Sequence, residues 1–244
     1  MYRLASCVAL AVAFVSQPVL AQEETIGTGP PDLGGLASLS SSGPATFGQT
    51  FRAPSPQPFR LNSVSFWFSN GVGGPDLPFR FYLTQWLDLP DRAGRAEGPV
   101  LFRSDEVFYG PSASTTGDRT TGVERVWTRY DFQVGGLVLQ PSSHYVAFVS
   151  VSESWEVAPD PASVLMGNSS EDYRGGHFVC AANGGDFGAL TSSAWIDTCN
   201  WGDGEDAAFE VSGVSVPEPN AYLLLLSGIM ALGLIALRRR EDSA

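Results

Sequence analysis

Between residues 197 and 206, Asp197, Asn200, Asp203, Glu205 and Asp206 crowd around Cys199, with Gly202 and Gly204 exposing backbone carbonyls beside them. Hard oxygen donors at this density suit a structural Ca²⁺, which takes six to eight oxygen ligands. Asp197, Asp203 and Asp206 are the predicted metal ligands, although the spacing is not that of an EF-hand, and a solvated acidic loop is the competing reading. Six tryptophans, Trp67, Trp86, Trp127, Trp155, Trp195 and Trp201, could offer flat faces for stacking against the apolar side of a sugar ring. Trp155 and Trp201 fall in predicted loops among acidic residues and are the ligand-binding candidates; Trp67 and Trp127 fall inside predicted strands and read as core. Catalytic signatures are lacking: there is no Gly-x-Ser-x-Gly elbow, no paired-histidine metal motif and no phosphate-cradling glycine loop. A carboxylate pair for glycoside hydrolysis would meet only in the fold. The expectation is a non-enzymatic protein with no catalytic residues.

The two ends say where such a protein would work. Arg3, the apolar run Leu4 to Val15 and the small-residue site Val19-Leu20-Ala21 make Met1 to Ala21 resemble a secretory signal peptide, handled by the Sec translocon and signal peptidase. The chain carries a net charge of −12. The part between its two ends is more acidic still, with 10 arginines against 24 carboxylates and no lysine. Nucleic acid and anionic lipid surfaces are poor partners for it, and no lysine is present to form a Schiff base. Cys180 and Cys199 remain after removal of residues 1–21, an even pair in an oxidising compartment, and a disulfide is the expected outcome. It would close a loop of about 20 residues and contribute roughly 3 kcal/mol.

At the other end, Val216 to Arg240 reads VPEPNAYLLLLSGIMALGLIALRRR. The uncharged stretch Ala221 to Leu237 would form a helix about 26 Å long, close to the hydrocarbon thickness of a bilayer. Arg238, Arg239 and Arg240 follow without a spacer and would hold that end in the cytoplasm, with 241–244 as a cytoplasmic tail. Pro217 and Pro219 keep the preceding segment extended. The triplet Pro217, Glu218, Pro219, then a short span, then arginines resembles the PEP-CTERM sorting signal of Gram-negative bacteria. This tail is also labelled as the C-terminal region of ice-binding proteins, but no regular threonine-rich repeat accompanies it here. The resemblance covers about 28 residues. It implies recognition by an exosortase, an inner-membrane intermediate anchored by the C-terminal transmembrane helix, and delivery to the cell surface or exopolysaccharide matrix.

These features require a scaffold. Residues 22–45 are rich in Gly, Pro and Ser and read as a flexible leader. From 46 to 215, short aromatic and β-branched runs alternate with Gly, Pro, Asn and Asp clusters, which predicts an all-β, antiparallel β-sandwich. Strands are expected at Thr46 to Arg52, Arg60 to Ser69, Pro78 to Trp86, Val100 to Phe108, Val126 to Val134, His144 to Ser152, Ser163 to Met166, Tyr173 to Val179, Ala194 to Asp197 and Ala207 to Ser212. Phe79, Phe81 and Leu83 alternate with Arg80, Tyr82 and Thr84, and Tyr145, Ala147, Val149 and Val151 form a similar face. Gly135-Gly136 and Gln140 to Ser143 read as two hairpin turns.

The run Phe47-Gly48-Gln49-Thr50-Phe51, then Leu137, Leu139, Pro141 and Tyr145, then Tyr173 to Gly176, and finally Asp206 to Phe209 is similar to lectin-like and carbohydrate-module jelly rolls of secreted bacterial proteins. In that resemblance Asp206 matches the aspartate that opens the last strand, in modules that often carry calcium. The combined expectation is an exported surface or matrix protein whose loop aromatics bind exopolysaccharide. Two alternatives stand beside it: a purely structural coat component without a small ligand, and a polysaccharide-active enzyme with two carboxylates facing across a groove.

Overall fold

The computed structural model describes residues 23–39, 43–54, 56–70, 78–90, 94–108, 115–117, 124–157, 164–170, 173–195, 206–216 and 228–230. The described strands are β1 (Glu23–Gly27), β2 (Gly34–Leu39), β3 (Thr46–Arg52), β4 (Phe59–Asn70), β5 (Pro78–Asp88), β6 (Gly94–Arg103), β7 (Val107–Phe108), β8 (Thr115–Gly117), β9 (Glu124–Val126), β10 (Thr128–Leu139), β11 (His144–Ser150), β12 (Val164–Ser169), β13 (Phe178–Ala181), β14 (Asp206–Ala207) and β15 (Phe209–Ser215). A seven-stranded sheet has the order β1-β15-β4-β12-β14, with β10 added on β4 and β2 on β12. A six-stranded sheet has the order β13-β3-β11-β5-β6, with β7 on β5. Strands β8 and β9 form a separate ribbon, and every pairing in the two large sheets is antiparallel.

The period-2 patterns explain the layering. On β4, Val64, Phe66 and Phe68 enter the main core, while Trp67 points to the opposite face and packs with Trp127 and Ala208. On β5, Phe79, Phe81 and Leu83 enter the main core, as their alternation predicts, and Tyr82 and Trp86 lie on the reverse face. Strand β11 divides the same way, with Tyr145, Ala147 and Val149 inward and Val146 and Phe148 outward. Phe81 of one sheet stacks on Phe132 of the other with ring centroids 4.4 Å apart. Each such fully buried aromatic contributes about 1.5–3 kcal/mol of transfer free energy. The outer face of the six-stranded sheet is not left to water: a short helix, α1 (Ala189–Ser192), brings Leu190 and Trp195 over Trp86 and Phe148.

Several sequence expectations are corrected here. The stretch expected to be a flexible leader contributes β1, paired along β15, and β2, paired along β12, and it places Leu36, Leu39 and Ala45 at 0% exposure in the main core. Its glycines and prolines obscured a few apolar residues that are enough to seal a sheet edge. Gly135 and Gly136 are not a hairpin turn: at φ 78° and 82° they form a bulge within β10, whose two halves pair with the same strand, β4. Residues 140–143 do turn, but they carry the chain from β10 in one sheet to β11 in the other. Residues 173–177 precede β13 as a turn and are not strand, and around 195 only the isolated bridge of Gly94 with Trp195 is described.

One end of the sandwich gathers the starts of β4, β11 and β13 and the ends of β3, β5, β10 and β15. Phe59 lies opposite both Leu139 and Ser215, His144 lies opposite Arg52, and Val216 N donates to Pro58 O at 2.8 Å.

Candidate functional site

Of the tryptophans, Trp67, Trp86, Trp127 and Trp195 are between 1% and 6% exposed and serve as packing. Trp67 also carries the Arg129 guanidinium over its ring at 5.1 Å. Trp155 sits in the 3-10 turn Ser152–Val157, half-buried against the main core. Its side chain lies against the 184–185 turn, since a Cβ at Gly185 would stand 3.5 Å from its own Cβ. Trp201 lies outside the described residues.

Asp206 opens β14 and is 3% exposed. Its Oδ1 accepts from Gln49 Nε2 at 2.6 Å and its Oδ2 from Tyr173 N at 2.8 Å, while Gln49 Oε1 accepts from Ala207 N at 2.9 Å. A carboxylate predicted as a metal ligand thus ties the two sheets together through Gln49. Asp197 and Asp203 lie outside the described residues, and among the described residues no group of three or more His, Cys, Asp or Glu side chains could hold a metal ion. Cys180 is buried on β13, 1% exposed; Cys199 lies outside the described residues. So do Pro217, Glu218, Pro219, Arg238, Arg239 and Arg240. Of the expected span only 228–230 are described, as helix, and among the described residues no helix is long and apolar enough to cross a membrane.

The structure adds a pocket that spacing alone did not reveal. A cavity of about 290 Å³ opens at the end of the six-stranded sheet, between the end of β3, the end of β5, the start of β11 and the 174–177 turn. Arg52, Asp88, His144, Arg174, Gly176 and His177 line it, so both histidines of the chain meet there. Asp88 is the hub: its carboxylate lies 3.2 Å from Arg52 Nη2 and 2.9 Å from His144 Nδ1. A carboxylate only accepts, so His144 Nδ1 carries the proton and the neutral ring presents Nε2 as an acceptor. That Nε2 has no hydrogen-bond partner among the described residues, and the side chain is 7% exposed. Burial pushes the His144 pKa below its ordinary value; Asp88 opposes this by hydrogen bond and charge, and Arg52 and His177 add to the lowering. The Asp88 carboxyl is held below the usual range; its partial burial opposes that and is outweighed by the His144 hydrogen bond and charge and by Arg52.

The turn is fixed by β3. Thr50 N donates to His177 O at 2.9 Å and His177 N donates to Thr50 Oγ1 at 2.9 Å. Gly176 approaches so closely that a Cβ there would run into the Thr50 carbonyl. In the sequence these residues appeared only as a Tyr-Arg-Gly-Gly motif and two lone histidines, each following a turn, and no spacing joined them.

Glu106 and Glu153 are a described pair of neighbouring carboxylates, but both converge on Arg80, at 3.6 and 3.1 Å, and Arg103 also pairs with Glu153. The Glu153 pKa is lowered; partial burial opposes this and is outweighed by hydrogen bonds and charge from Arg103 and the other partners. A general acid for glycoside hydrolysis needs the opposite shift. No protein-family model matches this chain, and no curated protein matches it either.

Proposed function

We propose that this chain is an exported protein of a Gram-negative cell surface or exopolysaccharide matrix, sorted by an exosortase through its PEP-CTERM-like tail, with a non-enzymatic sandwich that binds polysaccharide. The observation that carries this reading is the position of the fold's two ends. Strand β1 starts at Glu23, two residues beyond the predicted signal-peptide cleavage site, and Glu23 lies opposite Val214 on β15. Strand β15 stops at Ser215, two residues before Pro217. Both predicted processing points therefore lie outside the described pair β1 and β15, and cutting at either leaves every hydrogen bond among the described residues intact. Under this reading Cys180 and Cys199 meet oxidising conditions and form the disulfide expected of an even pair.

Mass spectrometry of the protein from culture medium and from membranes tests the sorting. An N-terminus near Gln22 and a C-terminus near Pro219 in the medium are expected. An intact Arg240 found only in membranes, or unchanged delivery after replacing Pro217 and Glu218, removes the sorting reading.

A second reading, a structural coat component, is favoured by one observation: four of the six tryptophans are buried as packing. It is separated from the first by polysaccharide pull-down with the exported protein, which a coat component fails in every variant.

A further inference from the structure

At the end of the six-stranded sheet away from the histidine pocket, the side chains of Thr46, Ser150, Ser152 and Asn183 close a ring. Thr46 Oγ1 lies 2.7 Å from Ser150 Oγ and 2.9 Å from Asn183 Oδ1, and Ser152 Oγ lies 2.8 Å from Ser150 Oγ and 2.6 Å from Asn183 Nδ2. Thr46, Ser150 and Ser152 are 4% exposed or less. The donors follow from one atom. Asn183 Nδ2 also donates to Asp186 O at 3.0 Å, a carbonyl that only accepts, so Oδ1 must face Thr46. Thr46 gives its one proton to Asn183 and therefore accepts from Ser150. Ser150 then accepts from Ser152, and Ser152 from Asn183. Every hydroxyl in the ring gives once and receives from its neighbour in the same sense, and hydrogen bonds arranged this way polarise and strengthen one another.

The ring joins the start of β3, the end of β11, the 3-10 turn Ser152–Val157 and the 183–186 turn. The two turns meet at Trp155. It belongs to the first of them, and Gly184 and Gly185 of the second lie along its side chain, where an added Cβ would stand 3.5–3.9 Å from Trp155 atoms. Ser152 N donates to Ser150 Oγ at 3.1 Å and Asp186 N to Asn183 O at 2.9 Å, so each turn is set by the ring member at its start. Glu153 also reaches Arg80 at 3.1 Å and Ser154 Oγ donates to Glu106 at 2.8 Å, but these bonds hold only the first turn. The hydrogen bonds of Asn183 with Ser152 and Thr46 tie the second turn to it.

We infer that this ring is a positioning device for Trp155, holding the half-buried indole in one orientation between the two turns so that it meets a sugar ring already ordered. A side chain fixed before contact loses little freedom on binding, which is how a single aromatic face contributes to affinity. What Trp155 meets rests on the proposed polysaccharide binding; where its indole sits does not.

The test follows the indole N–H signals of the isotope-labelled exported protein by NMR, with Trp155→Phe to identify the one in question, and retention of the same protein on exopolysaccharide extracted from the producing strain. Thr46→Val removes the hydroxyl at nearly constant shape; Asn183→Ala opens the ring at a half-buried position and serves if Thr46→Val does not fold. Each is expected to shift the Trp155 signal and to leave in place those of Trp67 and Trp127, which pack together on the other sheet. Each should also weaken retention about fivefold, one hydrogen bond's worth of affinity. Thr46→Ser, which keeps the hydroxyl, should restore both readouts. A Trp155 signal that stays put when the ring is opened, or that moves as far in Thr46→Ser, overturns the inference. So does full retention of the ring variants when Trp155→Ala is no longer retained. A parent protein that is not retained removes the polysaccharide reading, and the indole signals still decide whether the ring places Trp155.

Discussion

Gln49 on β3 and Asp206 on β14 join the two sheets through a 2.6 Å hydrogen bond in a place where both residues are 3% exposed or less. The amide of Gln49 is used at both ends, donating to the carboxylate and accepting from Ala207 N, and the second carboxylate oxygen caps Tyr173 N. A buried carboxylate is tolerated when donors surround it, and its loss leaves those donors unsatisfied in the interior.

Asp206→Ala is therefore expected to cost on the order of 3 kcal/mol, because it leaves Tyr173 N without its acceptor and Gln49 Nε2 with only a long hydrogen bond to Thr50 O. Asp131→Ala, which breaks an ion pair with Arg129 that is 42% and 48% exposed and a hydrogen bond from Ser65, should cost less, roughly 1 kcal/mol. Urea midpoints of the two variants check the contrast, and equal losses would mean that Asp206 does not bridge the sheets.

Acidification is expected to weaken the fold in two separate windows. His144 is held below its ordinary pKa when folded, so the unfolded chain takes up the proton first. Stability should be full above about pH 6.5 and should fall as the pH drops from there toward the folded-state value. Asp88, Asp131 and Glu153 are also lowered, and their contribution disappears further down, as the pH falls through about 4 toward their folded-state values. Asp88, Arg52 and His177 are the charged and titratable groups that act on His144. His144→Asn keeps a donor toward Asp88 without the titrating ring. The parent should lose urea resistance between pH 7.5 and 5.5 and this variant should lose less; equal losses in both would rule out His144 as the source.

The strand pattern was legible where one face was apolar and the other polar. Thr46 to Arg52 matches β3 to the residue, and the Phe79-Phe81-Leu83 face lies in the core as the alternation predicts. It was not legible where both faces of a sheet are covered. The six-stranded sheet buries Tyr82, Trp86, Val146 and Phe148 under α1 and Trp195, so those residues looked like candidates for exposure or for nothing at all. Leu36 and Leu39 were missed for the opposite reason, as isolated apolar residues in a glycine-rich stretch whose burial depends on pairing with β12, more than a hundred residues away. The pocket combines side chains from residues 52 to 177, and only the register of β3 with β11 brings Arg52 opposite His144.

The 174–177 turn should tolerate no added side chain at its centre. Gly176→Ala places a Cβ against the Thr50 carbonyl on β3, which is backbone and cannot rotate away. The turn must move off the strand, breaking the paired hydrogen bonds between Thr50 and His177 at a cost of about 1–3 kcal/mol. Gly98→Ala, where nothing lies within 4 Å, pays only for its φ of 70°. The expected result is a larger drop in urea midpoint for Gly176→Ala, together with a shift of the His177 ring resonances that Gly98→Ala lacks.

Trp155 and Trp86 separate packing from recognition. Trp86 is 5% exposed and edge-on to Trp195 at 5.4 Å, so Trp86→Ala should cost about 3–5 kcal/mol through the cavity it leaves. Trp155 is only half-buried and rests on the 184–185 turn, so Trp155→Ala should cost less, about 2 kcal/mol. The two differ in what else they can change. If loop aromatics hold polysaccharide, Trp155→Ala abolishes pull-down while the protein stays folded by near-ultraviolet circular dichroism. If polysaccharide is held by another surface, Trp155→Ala leaves pull-down intact. Absence of pull-down already in the parent protein points to a coat component.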